Sequence, residues 1–370
     1  MFYDFPLKDN FKTSFSGVSG GLFRKSPPDR ERIKGDENLD KIDFVMIWVD
    51  GADPAWRAEK NKYDSSDERG DNTEIRYRSW DNLQYWFRGI EKFAPWVNRI
   101  HFVTWGHLPA WINKNSPKLN IVNHKDYIPE KYLPTFNANT IELNLHRIKG
   151  LSEQFVYFND DMFVTAPVKP EDFFRNGCPM DTYGLDCIYF AKKSAGFFNG
   201  NDIELINTHF NKNDIFKSKN RRKWLSMKNG MTRVVKTRML NVWPWFPGIY
   251  YNHLPTNFLK STFEKVWEAE GDTLDLTCRD KFRTKSNCNQ WLMKFWQLCE
   301  GIAVPRDKKI GRCFHIKDNI YNEMLGSIGS GRYKLICVND TVGTRDFELQ
   351  KQQVIEAFEK LLPEKSGFEI

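Results

Sequence analysis

The sequence has no hydrophobic run long enough to cross a bilayer. Its most apolar stretches, residues 42–49 and 242–251, are far shorter than the roughly 20 residues that a transmembrane helix needs. The first residues, MFYDFPLKDNF, carry acids where the apolar part of a signal peptide would lie. We therefore expect a cytoplasmic protein, and peripheral association with the inner face of the cell membrane stays an open alternative.

Cysteine pairs and the common nucleotide-binding motifs are also missing. The seven cysteines form no CxxC pair, which argues against a zinc ribbon and against a disulfide framework. The sequence contains no Walker loop, no GxGxxG and no GxSxG. P-loop kinases, dinucleotide enzymes and serine hydrolases of the usual build are therefore set aside.

No block of like charge dominates the chain. The 55 Lys and Arg residues exceed the 48 Asp and Glu residues by seven, with both signs dispersed. This mild basic excess suits an anionic small molecule or membrane headgroups, but it is too mixed for a nucleic-acid-binding arm. Aromatic residues make up 15% of the chain, a composition that excludes intrinsic disorder.

What the sequence does contain is an alternation of apolar strands and amphipathic helices. The predicted strands are residues 42–49, 99–104, 119–123, 154–158 and 333–338, and the predicted helices are residues 80–93, 139–148 and 346–362. Strands that alternate with helices predict an α/β fold with a mainly parallel sheet. Ligands of such sheets bind beyond the carboxyl ends of the strands.

Two acidic clusters follow predicted strands. Asp50 and Asp53 come after the first strand, and Asp160 and Asp161 come after the fourth. Because adjacent carboxylates repel each other, a divalent cation would stabilise the second pair, which makes Asp160 and Asp161 candidate ligands for Mg²⁺ or Mn²⁺ on a nucleotide diphosphate. A cap plus a solvated acid would also explain this pair, and Asp53 could simply cap the turn that Gly51 shapes.

Three basic side chains have chemistry suited to phosphate transfer. His253 titrates near neutral pH and is a natural general base for an acceptor hydroxyl, although a packed core histidine would show the same pattern. Arg78 and Arg283 could clamp phosphate oxygens with their forked guanidinium groups. Each arginine is a weak signal by itself.

The segment over residues 199–239 is polar and basic, and it includes KSKNRRK at residues 217–223. A solvated helix face or a mobile insertion would explain this composition. The alternative is a surface that meets anionic lipid or a phosphorylated glycan.

Four segments, in order, resemble the Stealth family, the sugar-1-phosphate transferases of bacterial capsule and cell-wall polysaccharide. This family also includes the animal enzyme that places N-acetylglucosamine-1-phosphate on lysosomal glycoproteins. The segments are IDFVMIWVDGADPAW at 42–56, the stretch from RYRSWDNLQYW through FNANTIELNLHRIKGLSEQFVYFNDDMF at 76–163, the stretch from YYNHLP to KFRTKSNCNQWL at 250–292, and YKLICVNDT at 333–341. Together they span most of the chain.

The resemblance implies a Rossmann-like (GT-A-like) core and a defined reaction. The acceptor hydroxyl attacks the phosphorus attached to the sugar of a UDP-sugar, UMP leaves, and the acceptor is a glycan or a lipid-linked oligosaccharide. By motif, His253 falls on the residue expected to activate the acceptor, Arg283 on an arginine expected to steady the phosphate, and Asp160 and Asp161 on the metal position. The expected substrate-binding residues are Asp50, Gly51, Asp53, Arg78, Asn137, Glu142, Asn339 and Asp340.

Two positions depart from the family pattern. The family usually reads FNSHAIE, so Asn139 replaces a histidine, and Asn287 stands where an acid is common. Both changes keep hydrogen-bonding capacity and remove a titratable group. They therefore concern selectivity for the acceptor or the sugar more than the type of reaction.

The predicted organisation has five parts. These are an irregular arm (1–40), a nucleotide-sugar-binding part (41–175), a polar basic insertion (176–240), a second catalytic part (241–345) and a C-terminal helix (346–370). Two other functions stay open. A metal-dependent glycosyltransferase would use the same donor and release UDP, and a non-catalytic carbohydrate-binding or scaffold protein would use the aromatic surface for sugar stacking. The latter has no need of acids at several strand ends.

Overall fold

The computed structural model describes residues 41–63, 78–190, 196–316, 320–340 and 346–370. The predicted arm over residues 1–40 lies outside the described residues. The strands are β1 Ile42–Ile47, β2 Ile100–Thr104, β3 Leu119–Asn123, β4 Gln154–Phe158, β5 Met162–Val164, β6 Phe174–Arg175, β7 Cys178–Asp181, β8 Thr256–Leu259, β9 Val304–Pro305, β10 Gly311–His315 and β11 Leu335–Asn339. The helices are α1 Pro54–Tyr63, α2 Leu83–Phe93, α3 Ala138–Leu143, α4 Gly196–His209, α5 Lys212–Lys217, α6 Arg221–Trp224, α7 Met231–Leu240, α8 Lys260–Arg279, α9 Trp291–Glu300, α10 Tyr321–Ser330 and α11 Phe347–Leu361.

A five-stranded sheet in the order β3-β2-β1-β4-β8 forms the centre of the fold. The first four of these strands are parallel, and β8 runs antiparallel to β4. Strand β1 reads IDFVMI and is almost wholly buried, as expected for a parallel strand that is covered on both faces. The predicted α/β class with a mainly parallel sheet is therefore confirmed.

Side chains of the central sheet alternate between two hydrophobic clusters. Phe44 and Met46 of β1 pack into one cluster with Trp86 of α2, and Val45 packs into the other with Phe263 of α8. This alternation follows from the period of two in a strand. Helices therefore cover both faces and leave the strand ends for the site.

A second sheet in the order β10-β11-β5 adjoins the central sheet near Asp161. Strand β5 begins at Met162, a few residues after β4 ends at Phe158, and pairs antiparallel with β11. The amide of Val338 in β11 donates to the carbonyl oxygen of Asp161 at 2.8 Å. The turn that carries Asp160 and Asp161 is thus fixed between the two sheets.

The helix predicted over residues 139–148 is shorter in the structure. Helix α3 ends at Leu143, and a 3₁₀ turn follows over Leu145–Arg147. Asn144 breaks the helix, and its side-chain amide donates back to the carbonyl oxygen of Thr140 at 2.8 Å. The C-terminal helix predicted over residues 346–362 is confirmed as α11.

The basic segment over residues 199–239 is largely helical and packs against the core. It forms helices α4 to α7, Ile206 and Trp224 are buried in the second hydrophobic cluster, and Val234 is also buried. Lys223, inside the KSKNRRK stretch, donates to the carbonyl oxygen of Ala303 at 3.0 Å. That lysine holds the segment to the core and does not belong to a surface patch. Within the described ranges, no helix is long and apolar enough to span a membrane.

A buried ion pair in the core carries a stability prediction. Lys294 Nζ lies 2.9 Å from Asp181 Oδ1, and both side chains are 2% exposed. We expect Lys294→Met to lower the free energy of unfolding by about 3–5 kcal/mol, because it leaves the Asp181 carboxylate buried without its cation. The matched control is Lys265→Met, which removes an exposed pair with Glu300 and should cost under about 1 kcal/mol. Chemical denaturation measures both, and equal losses would contradict the prediction.

Candidate active site

A cavity of about 2020 Å³ lies beyond the carboxyl ends of β1, β4 and β11. Single small-molecule sites usually measure about 300–1,000 Å³, so this cavity has room for a nucleotide sugar and part of an acceptor together. Its position is the one that the parallel sheet predicts.

Most of the residues singled out from the sequence line this cavity. They are Asp50, Arg78, Glu142, Asp160, Asp161, His253, Arg283, Asn339 and Asp340. Gly51, Asp53 and Asn137 are not among the lining residues. Nine residues that are up to 290 positions apart in sequence therefore line one cavity.

Asp53 and Gly51 shape the loop that follows β1. Asp53 Oδ1 accepts a hydrogen bond from the amide of Trp56 at 2.8 Å and so caps α1, which is the turn-capping alternative raised by the sequence. The carbonyl oxygen of Gly51 accepts from Arg57 Nε at 2.6 Å. The roles of both residues in substrate binding stay predictions.

His107 is a neighbour of this loop that the sequence patterns did not indicate. The amide of Asp50 donates to His107 Nε2 at 2.8 Å. Burial lowers the pKa of His107, although the charges of Asp53 and Asp50 oppose that effect. A neutral imidazole can accept this hydrogen bond, so His107 holds the backbone of Asp50 at the cavity wall.

Asp161, His253 and Cys337 form a close cluster at the base of the cavity. Asp161 Oδ2 lies 3.1 Å from His253 Nε2 and 3.2 Å from the Cys337 sulfur. Burial alone would raise the pKa of Asp161, but the facing His253 and the Cys337 thiol bring it below its ordinary value. Burial raises the pKa of Cys337 well above that of a free thiol, so the S–H group donates to Asp161. The sequence patterns did not indicate Cys337.

Asp160 differs from Asp161 in its electrostatics. Its side chain is exposed to the cavity, and the charge of His253 only partly favours its ionised form. Desolvation by the surrounding protein, followed by the charge of Asp161, raises the pKa of Asp160 to about 7. The paired carboxylates thus carry the mutual repulsion that the sequence predicts.

Asp161 has the chemistry to ligate Mg²⁺ or Mn²⁺, and a metal-binding role for Asp160 stays a prediction. Asp161 Oδ1 is buried and has no hydrogen-bond partner within the described part of the chain, while its other oxygen contacts His253. One carboxylate can therefore serve both a metal and the histidine. Hard divalent cations prefer oxygen ligands of this kind. The sulfur of Cys337 and the nitrogen of His253 lie close enough to Asp161 to form a metal-ligand group with it. A protonated thiol is a poor ligand, which favours the carboxylates.

Arg283 and Glu142 face each other across the cavity wall. Arg283 makes no hydrogen bond or ion pair within the part of the chain that the structure describes, and its charge favours the ionised form of Glu142. Burial nevertheless raises the pKa of Glu142, and its Oε1 accepts from the hydroxyl of Tyr157 at 2.6 Å. The Arg283 guanidinium is therefore suited to binding an anionic group.

Asn137 and Asn287 hold the loop that carries Arg283. Asn137 is fully buried, and its Nδ2 donates to Asn287 Oδ1 at 2.9 Å. Asn287 Nδ2 in turn donates to Asp280 Oδ2 at 2.7 Å and to Thr284 Oγ1 at 2.9 Å. Both asparagines therefore fix the position of the Arg283 loop through hydrogen bonds, and neither lines the cavity.

This network yields a prediction for Asn287→Asp, which restores the acid common in the family. A second carboxylate would face Asp280, and we expect the free energy of unfolding to fall by about 1–3 kcal/mol. The Michaelis constant for the donor should rise, because the Arg283 loop loses its anchor. Chemical denaturation and donor titration measure these effects, with Asn115→Asp on an exposed loop as control. Equal stability and equal Michaelis constants in both variants would refute the role of Asn287.

Asn139, the other departure from the family pattern, lines the cavity directly. Its side chain is buried, and its Nδ2 has no hydrogen-bond partner among the residues that the structure describes. A buried amide without a partner is costly, and a ligand oxygen would satisfy it. This position is therefore placed to contact a bound substrate.

Arg78 forms an ion pair with Asp340. Its guanidinium contacts both carboxylate oxygens of Asp340, with Nε 3.0 Å from Oδ2 and Nη2 2.7 Å from Oδ1. The guanidinium also stacks on Phe347, and Trp80 Nε1 donates to Asp340 Oδ2 at 3.2 Å. Arg78 and Asp340 thus neutralise each other at the cavity wall, and Arg283 is the better placed of the two arginines to meet a phosphate.

The chain matches two family models and resembles several characterised polysaccharide enzymes. Stealth protein conserved region 1 matches residues 40–68, and conserved region 2 matches residues 76–180. The receptor polysaccharide phosphotransferase WefC of Streptococcus gordonii is 43% identical over 90% of this chain and 100% of that protein. The capsular polysaccharide phosphotransferase WcwK of Streptococcus pneumoniae is 41% identical over the same shares. The exopolysaccharide phosphotransferase cps2G of Lactiplantibacillus plantarum is 35% identical over 89% of this chain and 96% of that protein.

Among solved structures, the galactosyltransferase LgtC in complex with donor and acceptor sugar analogues covers 85% of this chain and 95% of its own. Its identity is 10% and its TM-score is 0.36, so the likeness adds nothing to the assignment of the site. The family assignment depends on the sequence relatives, which match this chain along nearly its whole length. The chain belongs to the Stealth family.

Proposed function

We propose that this protein transfers a hexose 1-phosphate from a UDP-sugar to a hydroxyl group of a polysaccharide or lipid-linked oligosaccharide, in the synthesis of a capsule or other cell-surface polysaccharide. The reaction forms a phosphodiester and releases UMP. The observation that carries this proposal is the Asp161–His253 pair, which opens into the same cavity as the uncommitted Arg283. The relatives named as polysaccharide phosphotransferases support it.

In the proposed step, the acceptor oxygen forms a bond to the β-phosphorus of the donor. The bond from that phosphorus to the oxygen that bridges the two phosphates breaks, and UMP leaves with the bridging oxygen. The proton of the acceptor hydroxyl passes to His253. The bond between the sugar carbon and its phosphate oxygen stays intact, so the sugar keeps its anomeric configuration.

The remaining site residues supply charge and position, which is most of what phosphoryl transfer requires. Asp161 Oδ2 orients the His253 imidazole and stabilises it once it is protonated. Arg283 faces the transferred phosphate. Asp160 and Asp161 would hold Mg²⁺ or Mn²⁺, and such an ion neutralises diphosphate charge when bound. Asp50, Asn139 and Asn339 line the space left for the nucleotide and the sugars.

The test is to incubate the protein with UDP-sugars, Mg²⁺ and a cell-surface glycan, and to analyse the glycan by ³¹P NMR. A new phosphodiester resonance together with UMP supports the proposal. UDP with no phosphorus in the glycan would identify a metal-dependent glycosyltransferase. Thermal shift with the donor separates an enzyme of this type from a simple sugar-binding protein, since a ligand at 100 times its dissociation constant adds roughly 2.7 kcal/mol and that gain should require Mg²⁺.

A further inference from the structure

Exposed apolar side chains lie in the turn before α7, on α7 itself and in the loop that follows it. Met231, Val235 and Met239 recur every four residues, so they share one face of α7, and all three are exposed. Trp243 and Trp245 in the following loop are 59% and 63% exposed. We call this surface the α7 ridge. Its members are Met227, Met231, Val235, Met239, Val242, Trp243 and Trp245.

The opposite face of α7 is firmly held by the core. Val234 and Thr237 are buried, and the amide of Leu185 donates to Thr237 Oγ1 at 3.0 Å. The helix therefore has its own apolar contacts on the inner side. The ridge is a second apolar face, and seven large exposed side chains on adjoining positions mark an interaction surface.

The chain segment that carries the ridge contains only basic charged residues. The sequence contains no Asp or Glu between Asp214 and Glu264. Lys228 and Arg238, which lie next to ridge residues in the chain, are exposed and make no ion pair within the described ranges. The ridge is thus an apolar strip with uncompensated basic neighbours, a pattern that suits an anionic partner.

The ridge adjoins the cavity. Arg233 and Lys236, on the face of α7 between the ridge and the core, line the cavity and face Asp186, with Arg233 Nη1 3.6 Å from Asp186 Oδ2. One short helix therefore presents basic residues to the cavity and apolar residues to the outside. A partner bound at the ridge would therefore lie on the other side of the helix that lines the cavity.

We propose that the α7 ridge docks on an anionic membrane surface and so presents the cavity to a lipid-linked acceptor. Tryptophan prefers the headgroup level of a bilayer, methionine and valine suit the acyl boundary beneath it, and lysine and arginine interact with anionic headgroups. A second copy of the chain is a poorer occupant, because a two-fold contact would bring two basic surfaces together. This inference uses the proposed function only in naming the acceptor as lipid-linked.

The test is sedimentation of the full chain with vesicles, either phosphatidylcholine alone or phosphatidylcholine with an equal part of phosphatidylglycerol. Binding should need phosphatidylglycerol and should weaken with salt. The double variant Trp243→Ser, Trp245→Ser should lower the vesicle partition coefficient by at least about tenfold. Lys228→Gln and Arg238→Gln should each lower it about fivefold. Leu276→Ser, an exposed apolar residue on α8, is the matched control and should bind as the wild type does.

The activity readout is separate from binding. The tryptophan variant should keep wild-type turnover with a water-soluble glycan acceptor and lose turnover only when the acceptor is lipid-linked in vesicles. Vesicle binding without any phosphate transfer would refute the proposed function and leave the membrane surface supported. Absence of vesicle binding, or binding that the ridge variants do not change, overturns the inference. It is also overturned if sedimentation velocity shows a dimer that the tryptophan variant converts to a monomer.

Discussion

The variant Asp161→Asn should lose at least about a hundredfold in turnover while keeping its fold. The amide removes the negative charge that faces His253, and it offers a much weaker oxygen to a divalent cation. The side chain keeps its size, and its oxygen can still accept from the Cys337 thiol, so the two sheets should remain joined at this turn. Turnover is measured as nucleotide release with a saturating donor, and folding as the midpoint of thermal unfolding.

The matched control is Asp126→Asn. Asp126 accepts a hydrogen bond from the amide of Asn123 at 2.7 Å and lies outside the cavity lining. It should retain turnover near that of the wild type. Turnover of Asp161→Asn within about threefold of the wild type would remove Asp161 from both of its proposed roles. The thermal shift produced by donor should also lose its dependence on Mg²⁺ in this variant.

The variant His253→Ala should also lower turnover by at least about a hundredfold, because it removes the side chain that is proposed to take the acceptor proton. Donor affinity should change little, since the imidazole acts on the acceptor and not on the nucleotide. The expected pattern is therefore a fall in kcat with a nearly constant donor Kd. Added imidazole should restore part of the activity if the missing function is proton transfer.

His209→Ala provides the control for this experiment. His209 Nε2 lies 2.6 Å from Glu270 Oε1, so it forms the same kind of histidine–carboxylate pair, but it does not line the cavity. Its loss should leave turnover unchanged. If His253→Ala keeps near-normal turnover, or if imidazole fails to restore activity to a folded variant, another group takes the acceptor proton.

The four parallel strands of the central sheet could be predicted from the sequence, whereas in the second sheet only β11 could. Strands such as β1 and β4 are continuous apolar runs, and their burial on both faces requires such runs. Strand β5 has three residues, Met162–Val164, and pairs with β11 about 170 residues later in the chain. No local pattern encodes a pairing of that range, because it depends on how the whole chain packs.

The candidate site was predicted in part. The acids at strand ends were visible because parallel strands place their carboxyl ends at one edge. His253 and Arg283 were weak candidates by their chemistry alone, and the family resemblance gave them specific roles. Two contacts could not be predicted, because each joins segments that are distant in sequence. They are the ion pair between Arg78 and Asp340 and the hydrogen bond from Asn137 to Asn287. Cys337 lacked any signal, since a single buried cysteine in a strand usually packs as a small apolar residue.

The most direct test of the account is to follow the oxygen that joins the sugar to the phosphate. A UDP-sugar labelled with ¹⁸O at that position is incubated with the enzyme, Mg²⁺ and a glycan acceptor, and both products are analysed by mass spectrometry. Transfer of sugar 1-phosphate predicts that the label stays with the glycan, in the new phosphodiester, and that UMP is unlabelled. Label recovered in UDP would show that the carbon–oxygen bond of the donor had broken, and it would contradict the proposed function.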